Sequence, residues 1–364
     1  MKIIINQPRA TYYVGGAEMI SFEHAINLFE LGNEVYFFTI SPKSIGLKYS
    51  TQFEKFYEKY SGKINIIELE QEQKIRYIYN IEPGEDRYRW NIESIFYNQK
   101  LYEYIFKHKT KYDIIFSYYI LDAIFIPRRF ISKNVLYLCG TPKQQNDFQK
   151  SLISVYDINL AISDEVKESW QSYYNDRIKV ISTGVDCNRF TPPKKEASKY
   201  KGLTLLYVGR LISRKNIDKI IYAFEKLYDK YEIRLFVVGD GPERKNLEGI
   251  SKNVIFTGVV NDTDEYYKKA DIFISPSGYG EGLQGTILEA MSCGLTIIAT
   301  NTAINKRLLS HDRGFTIEPN VNSIVDGIET AILADRDKIA ANCRKYVLDH
   351  YDWKKKTTEI LEVL

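Results

Sequence analysis

The stretch Leu203-Thr204-Leu205-Leu206-Tyr207-Val208-Gly209-Arg210 reads as a buried strand that runs into a glycine turn. A helix follows, because Ile217, Ile220, Ile221 and Phe224 recur at i, i+3, i+4 and i+7 and so share one face. The chain opens in the same order. Lys2-Ile3-Ile4-Ile5-Asn6 leads through Gly15-Gly16 into a helix over 17–31, with Phe22, Ala25, Ile26 and Phe29 on one face and Gly32 ending it. Residues 34–39 read as the next strand, and further strands over 234–238, 254–256, 272–275 and 296–299 alternate with helical stretches. Strands alternating with helices predict an α/β chain whose parallel sheets are covered on both faces, with ligands held beyond the carboxyl ends of the strands.

A chain of 364 residues exceeds one ordinary core and predicts two domains. The segment 186–201 holds Pro192, Pro193 and several lysines without periodicity, so it reads as a linker between a first domain over 1–185 and a second over 202–350. Residues 41–110 are less regular and crowded with aromatics, and a last helix over about 353–364 follows a turn at 350–352. A net charge of +3 from 50 basic and 47 acidic residues argues against an electrostatic nucleic-acid binder. Cys139, Cys187, Cys293 and Cys343 are too scattered to clip a metal, and they predict reduced thiols in a cytosolic protein. The apolar opening strand is too brief for a signal peptide, and no apolar run approaches the roughly 20 residues that span a bilayer.

Chemistry concentrates in Glu281-Gly282-Leu283-Gln284-Gly285-Thr286-Ile287-Leu288-Glu289-Ala290-Met291. A glycine-bearing loop entering a helix turns free amides and the positive end of the dipole toward whatever lies there, which suits a diphosphate. Glu281 has an ordinary reading as a dipole-complementing acid. Glu289 does not, since Ile287, Leu288, Ala290 and Met291 surround it and a carboxylate in such a run needs a donor. Two cations follow the strand over 203–208: Arg210 at its tip and Lys215 just before the helix. A guanidinium fork and an ammonium point charge fit a pyrophosphate, with a solvated loop as the alternative, which is the reading for Arg214.

Gly15-Gly16-Ala17-Glu18, the run Ile181-Ser182-Thr183-Gly184-Val185-Asp186-Cys187-Asn188-Arg189-Phe190, the Arg210/Lys215 pair, Val238-Gly239-Asp240-Gly241-Pro242 and the Glu281/Glu289 pair occur in that order. Together they resemble the retaining glycosyltransferases of family 4, over nearly the whole chain and most weakly over 41–110. The resemblance implies a GT-B fold, two Rossmann-like domains facing an interdomain cleft, with the helix over 352–364 crossing back to the first domain. It implies a nucleotide-diphosphate sugar as donor (UDP- or GDP-linked), a glycan or lipid-linked acceptor, cell-surface polysaccharide synthesis and no metal. By resemblance Arg210 and Lys215 neutralise the diphosphate, and Glu289 accepts bonds from the ribose. Glu281 meets the transferred sugar, the amides of Gly282, Leu283 and Gln284 hold sugar and phosphate, and Gly15 and Gly16 let backbone approach the phosphates. Cys139, in Leu138-Cys139-Gly140-Thr141-Pro142, stands where many relatives carry a histidine. A nucleotide-sugar epimerase, a phosphorylase and a catalytically silent sugar-nucleotide-binding subunit are the rival readings.

Other signals carry less. Gly239-Asp240-Gly241 follows a strand like a dinucleotide fingerprint, but Arg244 occupies the place of the third glycine. Asp262 with Glu265 reads as a helix cap rather than a metal pair. His24 falls opposite the apolar stripe of its helix and is expected to be solvated. Arg128, Arg129 and Lys133 beside Phe125-Ile126-Pro127 read as a solvated loop, with weak peripheral contact to an anionic membrane as the second reading.

Overall fold

The alternating pattern folds as two all-parallel sheets. The computed structural model describes residues 1–13, 15–71, 87–142, 151–171, 178–193, 200–278 and 282–364. The chain divides into one unit of Met1–Ser182 with Thr357–Leu364 and a second of Thr183–Lys356.

In the first unit the strands are β1 (Lys2–Asn6), β2 (Glu34–Ile40), β3 (Asn65–Leu69), β4 (Tyr112–Ser117), β5 (Ile131–Leu138), β6 (Ile158–Ala161) and β7 (Ile178–Val180), in the order β3-β2-β1-β4-β5-β6-β7. Ile3, Ile4 and Ile5 at the centre are wholly buried. Each such side chain contributes roughly 1.5–3 kcal/mol relative to exposure, which is why a central parallel strand is apolar on both faces. Helix α1 (Gly16–Glu30) packs on this sheet, and α2 (Thr51–Tyr60) is capped by the Ser50 hydroxyl, which accepts from the Phe53 amide. The aromatic-rich segment is more regular than its sequence suggests. It holds α2, β3 and the 22-residue helix α3 (Arg87–His108), whose Tyr97, Leu101 and Ile105 pack with Ile4, Phe38, Tyr112 and Ile131.

Two readings of α1 need correction. Its buried set is Glu18, Ile20, Ser21, Phe22, His24, Ala25, Asn27 and Leu28, whereas Ile26 and Phe29 are half-buried. His24 is 1% exposed, not solvated; its Nδ1 lies 2.7 Å from the Tyr118 hydroxyl, and burial lowers its pKa to about 3. A helix buried nearly all round places polar residues inside, provided partners are there.

The second unit has β8 (Leu203–Val208), β9 (Ile233–Val238), β10 (Val254–Gly258), β11 (Ile272–Ser275), β12 (Thr296–Thr300) and β13 (Gly314–Ile317), ordered β10-β9-β8-β11-β12-β13. Helix α5 (Ile217–Tyr228), which follows the short α4 (Asp164–Gln171) of the first unit, buries Ile217, Ile220, Ile221 and Phe224 as its periodicity predicts. Cys187 and Phe190, from the proline-containing stretch, join this unit's core. After α6 (Arg244–Glu248), the helix α7 (Asp264–Tyr267) starts later than expected. Thr263 is its N-cap and makes no side-chain cap bond. Asp264 instead pairs with Arg189 at 3.3 Å and Lys268 at 2.7 Å. The chain ends through α8 (Gly285–Ser292), α9 (Ala303–Leu309), α10 (Val321–Leu333), α11 (Arg336–His350) and α12 (Trp353–Val363).

Candidate functional site

Strand order reverses once in each sheet, between β1 and β4 in the first unit and between β8 and β11 in the second. At such a point the loops leaving neighbouring strands part, and the carboxyl ends are left open to a ligand. In the second unit those loops carry Arg210 and Lys215 after β8, and Gly282, Leu283 and Gln284 after β11. Glu281, the predicted sugar contact, lies outside the described residues.

The two loops are tied together. The Gly278 amide donates to the Arg214 carbonyl at 2.7 Å, and the Asn216 side-chain amide donates to the Pro276 carbonyl at 2.8 Å. Asn216 takes the left-handed conformation (φ 52°, ψ 38°), which a short polar side chain tolerates, and this turns the chain so that α5 starts just after Lys215. Arg210 is exposed, while Lys215 is half-buried in a short 3-10 turn, Ser213–Lys215. The Tyr207 hydroxyl donates to the Arg210 carbonyl at 3.1 Å and fixes the backbone beneath the guanidinium.

Gly239 has a packing reason rather than a dinucleotide one. Its φ is +133°, and a Cβ there would stand 2.0 Å from the Gly209 carbonyl oxygen. The ends of β8 and β9 therefore close on each other backbone to backbone, with the Leu211 amide bonded to the Asp240 carbonyl at 2.9 Å.

Gln284 is the N-cap of α8, yet its side chain does not cap the helix. Its Oε1 accepts from the Ser275 hydroxyl at 2.8 Å and the Ser277 hydroxyl at 3.4 Å, and the Ser277 carbonyl accepts from Thr300 at 2.6 Å. Leu283 is pinned in the core. The loop is thus held from below, and α8 opens directly beyond it with Gly285 and Thr286, whose amides precede the first bond within the helix. That geometry, with two cations on the bonded loop, suits an anionic ligand.

Glu289 has the donor that its apolar surroundings demand. The hydroxyl of Tyr267, itself wholly buried, donates to Oε2 at 2.8 Å and lies 3.3 Å from the Thr286 carbonyl. Burial raises the Glu289 carboxyl above its ordinary value, opposed by the Tyr267 bond and the Arg189 charge. Tyr267 and Arg189 were not legible as site residues. Tyr267 lies 22 positions upstream of Glu289 on another element, and no local spacing links them.

In the first unit, Gly15 is the N-cap of α1. A Cβ on Gly16 would meet nothing within 4 Å, so the fold itself does not require glycine there, which agrees with space kept for a ligand. Around the β1/β4 switch point the side chains bind one another. Arg9, 2% exposed, lies 3.8 Å from Glu93, 3.4 Å from the Ser94 hydroxyl and 4.2 Å above the Tyr119 ring. The Tyr12 hydroxyl donates to Glu93, and the Tyr119 hydroxyl donates to Glu18. Asn98 bridges Asn6 and Asp122, and burial lifts the Asp122 carboxyl to about 7. The Cys139 thiol lies 3.7 Å from the Tyr137 carbonyl, and burial pushes its pKa up, so it stays protonated. Among the described residues no cluster of three or more His, Cys, Asp or Glu side chains is placed to hold a metal, and no helix is long and apolar enough to cross a membrane.

Residues 188–349 match the family described as Glycosyl transferases group 1. An uncharacterised glycosyltransferase of Methanocaldococcus jannaschii is 27% identical over 300 residues, covering 70% of this chain and 75% of that protein. An Escherichia coli enzyme named UDP-Gal:alpha-D-GlcNAc-diphosphoundecaprenol alpha-1,3-galactosyltransferase is 28% identical over 210 residues, 51% of this chain and 54% of its own. Among solved structures, Anabaena HepE in complex with UDP-glucose superposes with a TM-score of 0.75 at 19% identity, covering 100% of both chains. Each unit is thus a Rossmann-like parallel sheet, and the chain has the GT-B fold.

Proposed function

We propose that this chain, a glycosyltransferase with the group 1 domain in its second unit, moves a sugar with retention from a nucleotide-diphosphate donor to a hydroxyl of a glycan or lipid-linked acceptor in cell-surface polysaccharide synthesis. The observation that carries this reading is the pair of bonded loops at the β8/β11 switch point, with Arg210 and Lys215 on one and the α8 N-terminus on the other. Complexes of HepE with UDP-glucose and the UDP-galactose named for the E. coli relative favour uracil as the base.

In this mechanism the departing diphosphate gathers negative charge, and Arg210, Lys215 and the amides of Gly282, Leu283 and Gln284 stabilise that charge more in the transition state than before it. Glu289, held by Tyr267, takes the ribose hydroxyls, and Glu281 takes hydroxyls of the sugar. The two cations supply the neutralisation, so the mechanism requires no metal. The departing phosphate oxygen receives the acceptor proton.

Thermal shift with UDP, GDP and their sugar conjugates tests the donor, because a ligand that binds only the folded state raises Tm. Arg210→Ala is expected to abolish that shift and to cut transfer by about 10²–10³-fold, while the Tm of the ligand-free protein is unchanged because the side chain is exposed. Absence of a saturable shift with every nucleotide sugar, or full activity of Lys215→Ala, overturns the proposal.

A further inference from the structure

The Tyr267–Glu289 bond joins α7 to α8, and both helices are fastened to the segment 186–190. Ser292, at the end of α8, donates its hydroxyl to the Phe190 carbonyl at 2.7 Å. The Arg344 guanidinium, from α11, meets the same carbonyl at 2.7 Å, the Cys187 carbonyl at 2.8 Å and the Ser292 hydroxyl at 2.6 Å. Glu289 stands about one turn before Ser292, so this clamp fixes its height against the segment. The segment is itself braced, since Asp186 Oδ1 accepts from the amides of Asn188 and Arg189 at 3.0 Å each.

Arg189 does for α7 what Arg344 does for α8. Helix α7 carries Tyr267 and is four residues long, too short to stand on its own bonds. Arg189 Nε donates to Asp264 Oδ1 at 3.3 Å on the first residue of that helix, and Asp264 also holds Lys268 at 2.7 Å. The Phe190 ring meets Tyr267 edge-on at 5.6 Å, and the Arg189 guanidinium lies 5.0 Å from the Phe190 ring. The Arg189 side chain is 39% exposed, and an ion pair that open adds little to stability. It does act on the site: burial raises the Glu289 carboxyl, the Tyr267 bond and the Arg189 charge oppose this, and Asp264 adds to it.

We propose that Arg189 is a positioning residue for the donor: bound to Asp264 and laid on Phe190, it holds Tyr267 and Glu289 where they receive the ribose hydroxyls. This rests on the proposed contact of Glu289 with the ribose. A carboxylate aimed by one buried hydroxyl keeps its remaining lone pairs for the ligand. The Tyr267 hydroxyl has a competing acceptor, the Thr286 carbonyl, 3.3 Å away against 2.8 Å to Glu289. Loss of the Arg189 bridge frees the first residue of α7 to move, and the hydroxyl then turns toward Thr286 and leaves Glu289 unaimed.

Calorimetric binding of UDP and of 2′-deoxy-UDP tests it, with GDP and 2′-deoxy-GDP in parallel. The parent is expected to prefer the ribonucleotide about tenfold, as one hydrogen bond to a charged group provides. Arg189→Met keeps an apolar stem over Phe190 and removes the bridge. It is expected to weaken the ribonucleotide about fivefold and leave the deoxy form unchanged, which narrows the preference to about twofold. Asp264→Ala breaks the same bridge from the other side and is expected to narrow the preference equally. A ligand-free Tm near that of the parent shows that each variant has folded. In turnover the loss is expected in donor KM, with kcat held by the diphosphate contacts. Equal weakening of both nucleotides, or a preference that stays near tenfold in both variants, overturns the proposal. Glu289→Gln separates it from the reading beneath. If Glu289→Gln keeps the preference, or the parent shows none, the ribose role of Glu289 fails. If Glu289→Gln loses it while Arg189→Met and Asp264→Ala keep it, the positioning role of Arg189 alone fails.

Discussion

The β1/β4 and β8/β11 switch points occupy the same place in two similar sheets, and they treat charge in opposite ways. At β8/β11 the loops are secured by backbone amides, Asn216 and the hydroxyls of Ser275 and Ser277, which leaves Arg210 exposed. At β1/β4 the cation is buried, and Glu93, Glu18, Tyr119 and Asp122 form a closed network about it. Neutral groups that hold a loop leave an exposed guanidinium such as Arg210 open to a ligand; charges that hold a loop are already used. The contrast predicts that polar substitutions at the first position change stability and those at the second change binding.

The strongest way to break that contrast is Arg9→Ala. It leaves Glu93 buried without its cation and is expected to cost about 3–5 kcal/mol, read as a lower denaturant midpoint. The variant is expected to keep its donor KM wherever it remains folded; a donor defect without destabilisation would make the two positions alike.

Asp122→Asn should follow, with a dependence on pH. The native carboxyl titrates near 7, and an unfolded one near 3.9. Between those values the folded protein holds a proton that the unfolded chain lacks. The stability this adds is complete below about pH 4 and is lost as pH rises through 7. Asp122→Asn is therefore expected to match the parent at pH 4 and exceed it by roughly 2–4 kcal/mol at pH 8. His24 acts in the other direction, its contribution fading as pH falls from about 6.5 toward 3, but it is present in both proteins and cancels in the difference. A pH-independent difference would show that Asp122 is ionised in the fold.

The smallest effect is expected from Tyr267→Phe. Loss of one hydrogen bond to Glu289 should raise donor KM about fivefold with little change in kcat or Tm. The rise should be larger at lower pH, since the bond opposes the upward pull of burial on the carboxyl. An unchanged KM would remove Glu289 from the donor contacts.

The α/β alternation was legible because each strand is a short apolar run and α5 keeps a clean 3.6-residue stripe. Glu289 was legible as an anomaly, a carboxylate in an apolar run, but its donor was not, since Tyr267 comes from α7 through tertiary packing. His24 was misread because periodicity assumes one wet face, and α1 has almost none. The helix α3 was hidden because Ser94 and Asn98 interrupt its apolar stripe, and they are buried for the sake of Arg9 and Asp122.

The bond from the Gly278 amide to the Arg214 carbonyl has a consequence for how such chains diverge. Two segments more than sixty residues apart are locked in register, so an insertion or deletion on one side must be matched on the other or shift the cations relative to α8. Length variation should therefore collect elsewhere, as in the connections beyond β9 and β12, and the spacing from Gly209 to Asn216 should vary least among functional descendants of this fold.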